Sequence, residues 1–245
     1  MSEAPRAGAF EGVTCTAPVE RTDRMRDIIV AHVPGDRPLR LLDLGCGTGS
    51  LVFRLADALP HASLVGIDLS RANVDAARRE QARHASSARI AFEVADYLQY
   101  AAPPFDAIVA DGVLHFVPGE TGALARKLAA DLRPGGVLVC SMAYECAYNA
   151  AFAIVRRALR RVRTPWLDRA ILQAGRVLHG REMRDEELRE RVGYMYLPPT
   201  RLMGRRLLSE FEAAGLSLAA EYPMKSTSLS QLRHRVTVFT RIGAA

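Results

Sequence analysis

Leu41-Leu42-Asp43-Leu44-Gly45-Cys46-Gly47-Thr48-Gly49-Ser50 runs from an apolar stretch, through three alternating glycines, into an amphipathic one. An apolar run that ends near an acid and then meets closely spaced glycines reads as a β-strand, a tight turn and the start of a helix. Glycine permits left-handed backbone and close approach of a ligand, and the first turn of a helix offers unpaired N–H groups. Dinucleotide sites use a different spacing, GxGxxG. Here the spacing is GxGxG, with Asp43 two residues before the first glycine. An acid at that point favours a cationic amine over a pyrophosphate, which argues against NAD.

Outward from this turn, residues 36–142 alternate short apolar runs with amphipathic ones. The pattern predicts strands over 39–44, 63–68, 90–94, 107–111 and 137–142, with helices over 50–59, 71–84 and 120–132. Short β-branched strands separated by helices form a doubly wound parallel sheet of the α/β class. After Tyr144 the alternation stops, and helical pieces are expected over 149–163, 170–178 and 185–192. Over 149–163, Phe152, Val155, Leu159 and Val162 form a helical stripe with five arginines on the other face. A helix over 205–214 and strands over 217–222 and 235–241 close the chain; these last two strands, joined without a crossover helix, are expected to be antiparallel. Roughly sixty residues between Tyr144 and Arg206 are too many for a simple connection. They are read as a helical cap inserted near the carboxyl ends of the strands, where open α/β sheets bind ligands.

Charge separates the same segment. Residues 149–206 carry fourteen arginines against six acids, whereas the remainder holds nineteen basic and twenty-one acidic residues. The net charge of +6 is thus concentrated in the cap, which bears on partners rather than fold. Cys15, Cys46, Cys140 and Cys146 lack CxxC spacing and read as reduced thiols; no clustered metal-ligand set is found, so no metal is expected. Met1 to Phe10 holds no apolar stretch of signal-peptide length, giving the expectation of a cytoplasmic protein. Val137 to Val155 is almost apolar, but Glu145, Asn149 and the Pro134-Gly135-Gly136 turn argue for strand, loop and helix instead of a membrane span.

Further acids stand at successive strand ends. Val65-Gly66-Ile67-Asp68-Leu69-Ser70 ends the second strand in a carboxylate able to accept from two hydroxyls. Val94-Ala95-Asp96-Tyr97 ends the third in an acid and an aromatic, and Phe105–Asp111 leads the fourth into Gly112-Val113-Leu114-His115-Phe116. In this order the motifs closely resemble class I S-adenosylmethionine-dependent methyltransferases over residues 37–142 plus the closing helix and strands.

The resemblance implies a seven-stranded Rossmann-like sheet of order 3-2-1-4-5-7-6 with strand seven antiparallel. It implies S-adenosylmethionine as cofactor and S-adenosylhomocysteine as product. Asp43 and the Gly45, Cys46, Gly47 and Gly49 turn would hold the methionine part, Asp68 with Leu69 the ribose, Asp96 and Tyr97 the adenine, and Asp111 with Gly112 would border the sulfonium. The expected divisions are an N-terminal helical segment over the cofactor (1–35), the core (36–143), the arginine-rich cap (144–206) and the closing elements (207–245). In the first of these, Arg21, Arg24 or Arg26 is a candidate for the methionine carboxylate.

For the acceptor, His115 just past strand four is a candidate base and Tyr144 a candidate catalytic or pocket residue; Glu145, His179, Tyr194 and Tyr196 are further rim or cap candidates. The leading expectation is O-methylation of a small carboxylate or hydroxyl compound, anionic with an apolar body, with N- or C-methylation close behind. An RNA methyltransferase is disfavoured, because strand four ends in Ala110-Asp111-Gly112-Val113 and lacks the Asn/Asp-Pro-Pro-aromatic signature. A non-catalytic cofactor-binding or membrane-surface protein is the remaining alternative, from the basic amphipathic form of 149–163. A homodimer is left open.

Overall fold

A computed structural model describes residues 19–179, 185–224 and 232–243, apart from a few side chains in the later helices. The elements follow the sequence pattern closely: α1 (Val19–His32), β1 (Leu39–Leu44), α2 (Ser50–Ala58), β2 (Ala62–Asp68), α3 (Arg71–Gln81), β3 (Ile90–Val94), β4 (Phe105–Asp111), α4 (Thr121–Asp131), β5 (Leu132–Ala143), α5 (Ala147–Arg161), α6 (Pro165–His179), α7 (Asp185–Tyr194), α8 (Arg205–Ala213), β6 (Leu216–Pro223) and β7 (His234–Arg241). The seven strands form one sheet of order β3-β2-β1-β4-β5-β7-β6. β1 to β5 pair in parallel, while β7 runs antiparallel to both β5 and β6. β5 starts earlier than the pattern predicted, at Leu132, because Phe105 pairs with Leu132 before a register shift carries the ladder past the Pro134-Gly135-Gly136 bend.

The two faces of the sheet have separate cores, set by the alternation of side chains along each strand. Leu39, Leu41 and Val109 face Met25, Ile29, Leu55 and Val74 of α1, α2 and α3. Leu42, Leu44 and Ile108 face Leu124, Leu128, Leu207 and Phe211 of α4 and α8. The same alternation continues to the strand ends. Asp43 and Asp111 therefore project to the α1 side, and Ser141 joins them because Asp111 pairs with Ser141 across the β4–β5 ladder. Three polar positions on neighbouring strands are gathered beneath one helix by period two alone.

Phe92 of β3 fixes two glycines. A Cβ on Gly49 would lie 2.6 Å from the Phe92 ring, and one on Gly66 would lie 2.7 Å from the ring and 3.0 Å from the Cys46 Cβ. Phe92 is fully in the core and packs edge-on against Phe53 at 5.6 Å. Overpacking of this kind costs about 1–3 kcal/mol. Gly66→Ala is expected to lower the urea midpoint by that amount without changing the slope; an unchanged midpoint contradicts the packing account.

No helix among the described residues is long and apolar enough to cross a membrane. Three helices, α5 to α7, intervene between β5 and α8. The segment that returns from α7 is sewn to the loop after β4: Thr200 donates from its backbone N–H and hydroxyl to the His115 carbonyl, and Arg201 donates to the carbonyls of Leu114 (2.9 Å) and Gly119 (2.7 Å). Tyr144 and Met203 then form an isolated parallel bridge.

Candidate functional site

The carboxyl ends of β1, β2 and β4 surround one pocket, lined by Asp43, Gly45, Cys46 and Gly47 from the glycine turn and by Asp68 and Leu69 after β2. Asp96 and Tyr97 after β3, and Asp111, Gly112 and Phe116 after β4, complete much of the wall, with Thr22 of α1 on the remaining side.

The turn is shaped by left-handed glycines, Gly45 at φ 73°, Gly47 at φ 54° and Gly49 at φ 84°. A Cβ on Gly45 would strike Val113 at 2.4 Å, so this glycine is required for space as well as conformation. Several N–H groups of the turn itself are already bonded, while Ser50 and Leu51 of the first turn of α2 line the pocket. Gly45 and Cys46 donate to the Ile67 carbonyl at 2.8 and 3.0 Å, Gly47 donates to Asp68, and Gly49 donates to Cys46 at 2.9 Å. Gly49 is not on the pocket wall; it sits at the N-cap of α2, and its role is the bend. Cys46 is buried, and its thiol is pushed well up by that burial, which suits packing rather than reactivity.

Asp43 is wholly buried, and burial with the nearby Asp111 and Asp68 charges raises its carboxyl from 3.8 to about 8. It makes no hydrogen bond with any described residue, so its oxygens are addressed to the pocket. Asp68 instead organises the loop: Oδ2 accepts from Gly47 N–H at 2.9 Å, and Oδ1 from Ser70 N–H at 2.8 Å and Asn73 Nδ2 at 3.2 Å. A carboxylate has about four lone-pair directions, which leaves capacity toward the pocket. Asp96 is exposed and accepts from Leu98 N–H at 2.9 Å. Tyr97 contributes to the wall, but its ring is turned into the α4 side core beneath the Lys127 ammonium, 4.7 Å from the ring centre. Phe116 is a second aromatic of the wall that the sequence reading missed.

Asp111 is held by Arg21 of α1, whose Nε lies 2.8 and 3.1 Å from the two carboxylate oxygens and whose Nη2 lies 2.5 Å from Oδ1. Although burial opposes ionisation, the Arg21 charge and hydrogen bonds together with Ser141 hold the Asp111 carboxyl below its ordinary range. Arg21 is thereby committed to Asp111 and Ser141, Arg24 to the Pro223 carbonyl, and Arg26 to Asp23 and Asp27. Of the three, Arg21 comes nearest the pocket, its Nη2 lying 3.3 Å from where a Cβ on the wall residue Gly112 would be, and α1 sends Thr22 into the wall itself.

His115 lies behind the pocket wall. It is 1% exposed, its ring stands 4.1 Å from Phe116 and 5.3 Å from His234, and its Nδ1 has no hydrogen-bond partner. Burial, followed by the charges of His234, Arg156, Arg21 and Arg201, drives its pKa well below 6.5. The ring is therefore neutral at ordinary pH and is a weak proton acceptor. Tyr144 is half-buried under the Arg235 guanidinium at 4.8 Å, outside the pocket wall, with Glu145 exposed beside it. Tyr196 is buried as a packing residue under Arg163. The side chains of His179 and Tyr194 lie outside the described residues.

α5 is turned differently from its apolar pattern. Its buried positions are Asn149, Ala153 and Arg156. Val155 is 47% exposed, Ile154 63% and Val162 60%. Asn149 explains the rotation, since its side chain donates to the Tyr144 and Arg233 carbonyls (2.7 and 2.9 Å) and accepts from Arg233 N–H (2.8 Å), locking the helix to β5 and β7 by a polar clasp. Among the described residues no group of three His, Cys, Asp or Glu side chains could hold a metal ion.

Residues 42–138 match the family model described as a methyltransferase domain. The chain is 37% identical over 124 residues to a trans-aconitate 2-methyltransferase of Methylobacterium nodulans, covering 50% of this chain and 45% of that protein. It is 36% identical over 124 residues to the enzyme of that name in Azoarcus, covering 50% and 46%. The matched stretch thus spans about half the length of these relatives. Among solved structures, magnesium protoporphyrin IX methyltransferase from Synechocystis, with bound S-adenosylhomocysteine, superposes with a TM-score of 0.59 at 19% identity, over 91% of this chain and 82% of that one. The N-methyltransferase NodS of Bradyrhizobium japonicum superposes with a TM-score of 0.57 at 17% identity, over 91% and 96%. At such identities the superpositions establish the fold.

Proposed function

We propose, from the premise that this chain carries a class I S-adenosylmethionine-dependent methyltransferase domain, that the protein methylates a carboxylate oxygen of a small anionic acceptor. The observation that supports it best is the convergence of Asp43, Asp68 and the left-handed Gly45–Gly47 turn on one pocket beside the Asp111–Gly112 edge. These residues fit S-adenosylmethionine: a buried carboxylate with free oxygens suits its amine, Asp68 its ribose hydroxyls, and the glycine surface its close approach. Asp96 and the wall on which Tyr97 stands would border the adenine, with Phe116 a second aromatic of the wall. When bound, the cofactor supplies an activated methyl for in-line displacement.

The remaining work of the chain is orientation and exclusion of water. Arg21 fixes the Asp111 strand end, and the Thr200–Arg201 segment closes the β4 loop beside it. A hydroxyl or ammonium acceptor needs a base, whereas a carboxylate needs none. His115, neutral and weakly basic, matches the acceptor that needs none. The relatives named for trans-aconitate methylation act on a carboxylate compound, which agrees with this choice.

The test is incubation with methyl-labelled cofactor and parallel sets of carboxylates, phenols and amines, trans-aconitate included. Methylated product is expected only from carboxylates, with one S-adenosylhomocysteine formed per product. Transfer confined to phenols or amines overturns the acceptor reading, and failure to bind S-adenosylhomocysteine overturns the whole. With a carboxylate acceptor, kcat is expected to stay flat between about pH 6 and 8, because no imidazole of ordinary basicity takes part. A limb in that range that disappears in His115→Gln would restore His115 as a base.

A further inference from the structure

Among the described residues of the cap region two arginines are buried, Arg156 at 6% exposure and Arg201 at 8%. Arg201 donates two hydrogen bonds, to the carbonyls of Leu114 and Gly119, and holds the β4 loop, although its Nε is buried without a partner. Arg156 has a single hydrogen bond to a described residue. Its Nη1 donates to the Leu197 carbonyl at 3.2 Å and its guanidinium lies 4.9 Å from the Phe152 ring centre, while its Nε is buried with no hydrogen-bond partner. No carboxylate of the described residues pairs with it. Burial lowers its pKa to about 10, so it remains a cation at neutral pH.

A buried, unpaired guanidinium costs several kcal/mol unless an anion reaches it. The surroundings give that anion a location. His115 and His234 have lowered pKa values chiefly through burial, with the positive charges of Arg21 and Arg156 adding to the effect on both and Arg201 on His115. Geometrically, Arg156 is tied to this region through the Leu197 carbonyl, three residues before Thr200, which bonds the His115 carbonyl. His234 donates through Nδ1 to the Leu232 carbonyl at 2.8 Å, so its neutral ring presents only an acceptor at Nε2, whereas the His115 Nδ1 is unpartnered and is free to donate. The neighbouring Asp111 is already neutralised by Arg21. Phe116 links this cluster to the cofactor pocket, because its ring stands 4.1 Å from His115 and it also lines the pocket.

We infer that Arg156 is the specificity-determining anchor of the acceptor, binding a carboxylate that is not the one methylated, with His115 donating beside it in the tautomer that carries its proton on Nδ1. This rests on the proposed methyl transfer to a carboxylate compound and makes the acceptor at least a dicarboxylate. A guanidinium-bound carboxylate is a poorer nucleophile than a free one, so the anchored group and the reacting group are different. The polar clasp at Asn149 gives the arrangement its logic: it turns α5 so that Arg156 is buried beside Ala153 while Ile154 and Val155 are exposed.

The test is calorimetry with the S-adenosylhomocysteine complex of the full chain, titrated with trans-aconitate, its dimethyl and trimethyl esters, and simple dicarboxylates. Wild type is expected to bind the free acids and to lose affinity as carboxylates are esterified. Arg156→Gln is expected to weaken acid binding by about 100-fold, in line with loss of a buried charge-assisted pair, while S-adenosylhomocysteine affinity stays within about twofold. Arg156→Lys should recover part of the loss, and Arg157→Gln, on the exposed side of α5, should change nothing. Equal weakening by Arg157→Gln, unchanged acid affinity in Arg156→Gln, or no saturable binding of any acid by wild type overturns the anchor. Loss of S-adenosylhomocysteine binding in wild type instead overturns the methyltransferase reading on which it stands, so the two failures are separable.

Discussion

Asp68→Ala is expected to weaken S-adenosylhomocysteine binding by about 100- to 1,000-fold, the loss of one or two charge-assisted hydrogen bonds at about 1.5–3 kcal/mol each. The effect has two sources. The carboxylate is proposed to accept from the ribose, and it already accepts from Gly47, Ser70 and Asn73. Removing it therefore loosens Gly47, although Gly45 and Cys46 stay bonded to Ile67, as well as removing a ligand contact. Asp68→Asn separates these contributions: its amide oxygen can keep one backbone N–H, whereas its amide nitrogen faces donors it cannot accept from. The expected order of affinity, by calorimetry, is wild type, then Asp68→Asn, then Asp68→Ala. Unchanged affinity in Asp68→Ala would remove Asp68 from the site altogether.

The sheet was legible because it depends on periodicity and punctuation. Short apolar runs, glycine turns and acids at strand ends are local signals, and the strand order followed from the resemblance they carry. The pocket wall was nearly as legible, since Asp43, Asp68, Asp96 and Asp111 all stand at parallel strand ends, which topology brings to one edge. What escaped depends on contacts across the chain. Nothing local to Arg21 says that it will meet Asp111 ninety positions on, nor that His115 will stand beside His234.

α5 shows the limit most clearly. Its aliphatic stripe is a sound signal of a buried face, yet Val155 and Val162 are exposed, and Asn149 and Arg156 are buried. A clasp of three hydrogen bonds at one asparagine, to the backbone of Tyr144 and Arg233, turns the helix so that Phe152 and Leu159 stay half-buried while Val155 is exposed. Unpaired polar groups in the interior cost more than exposed aliphatics, so the helix orients to satisfy Asn149 first. Five arginines read as a solvated face thus conceal one that is not.

Asp43 gives the second large effect, one that couples protonation to ligand. Its carboxyl is raised from 3.8 to about 8 by burial and by its acidic neighbours. A raised carboxyl contributes stability that is full below the unfolded value and is lost as pH rises through the folded one. The cofactor-free protein is therefore expected to melt at progressively lower temperature from about pH 4 to about pH 8, with Asp43→Asn removing much of that slope. An ammonium placed against the carboxylate reverses the balance by favouring the ionised form, so the proton must leave when the cofactor enters. With a pKa near 8 the group is about 90% protonated at pH 7, and calorimetry in buffers of different ionisation heat should report release of close to one proton per S-adenosylhomocysteine bound. In Asp43→Asn the release should vanish and the affinity should fall by at least about 30-fold, even as the free protein becomes more stable at neutral pH. Stability and binding then move in opposite directions on a single substitution. A merely structural carboxylate would move both the same way, and proton release that persists in Asp43→Asn would show that the amine is held elsewhere.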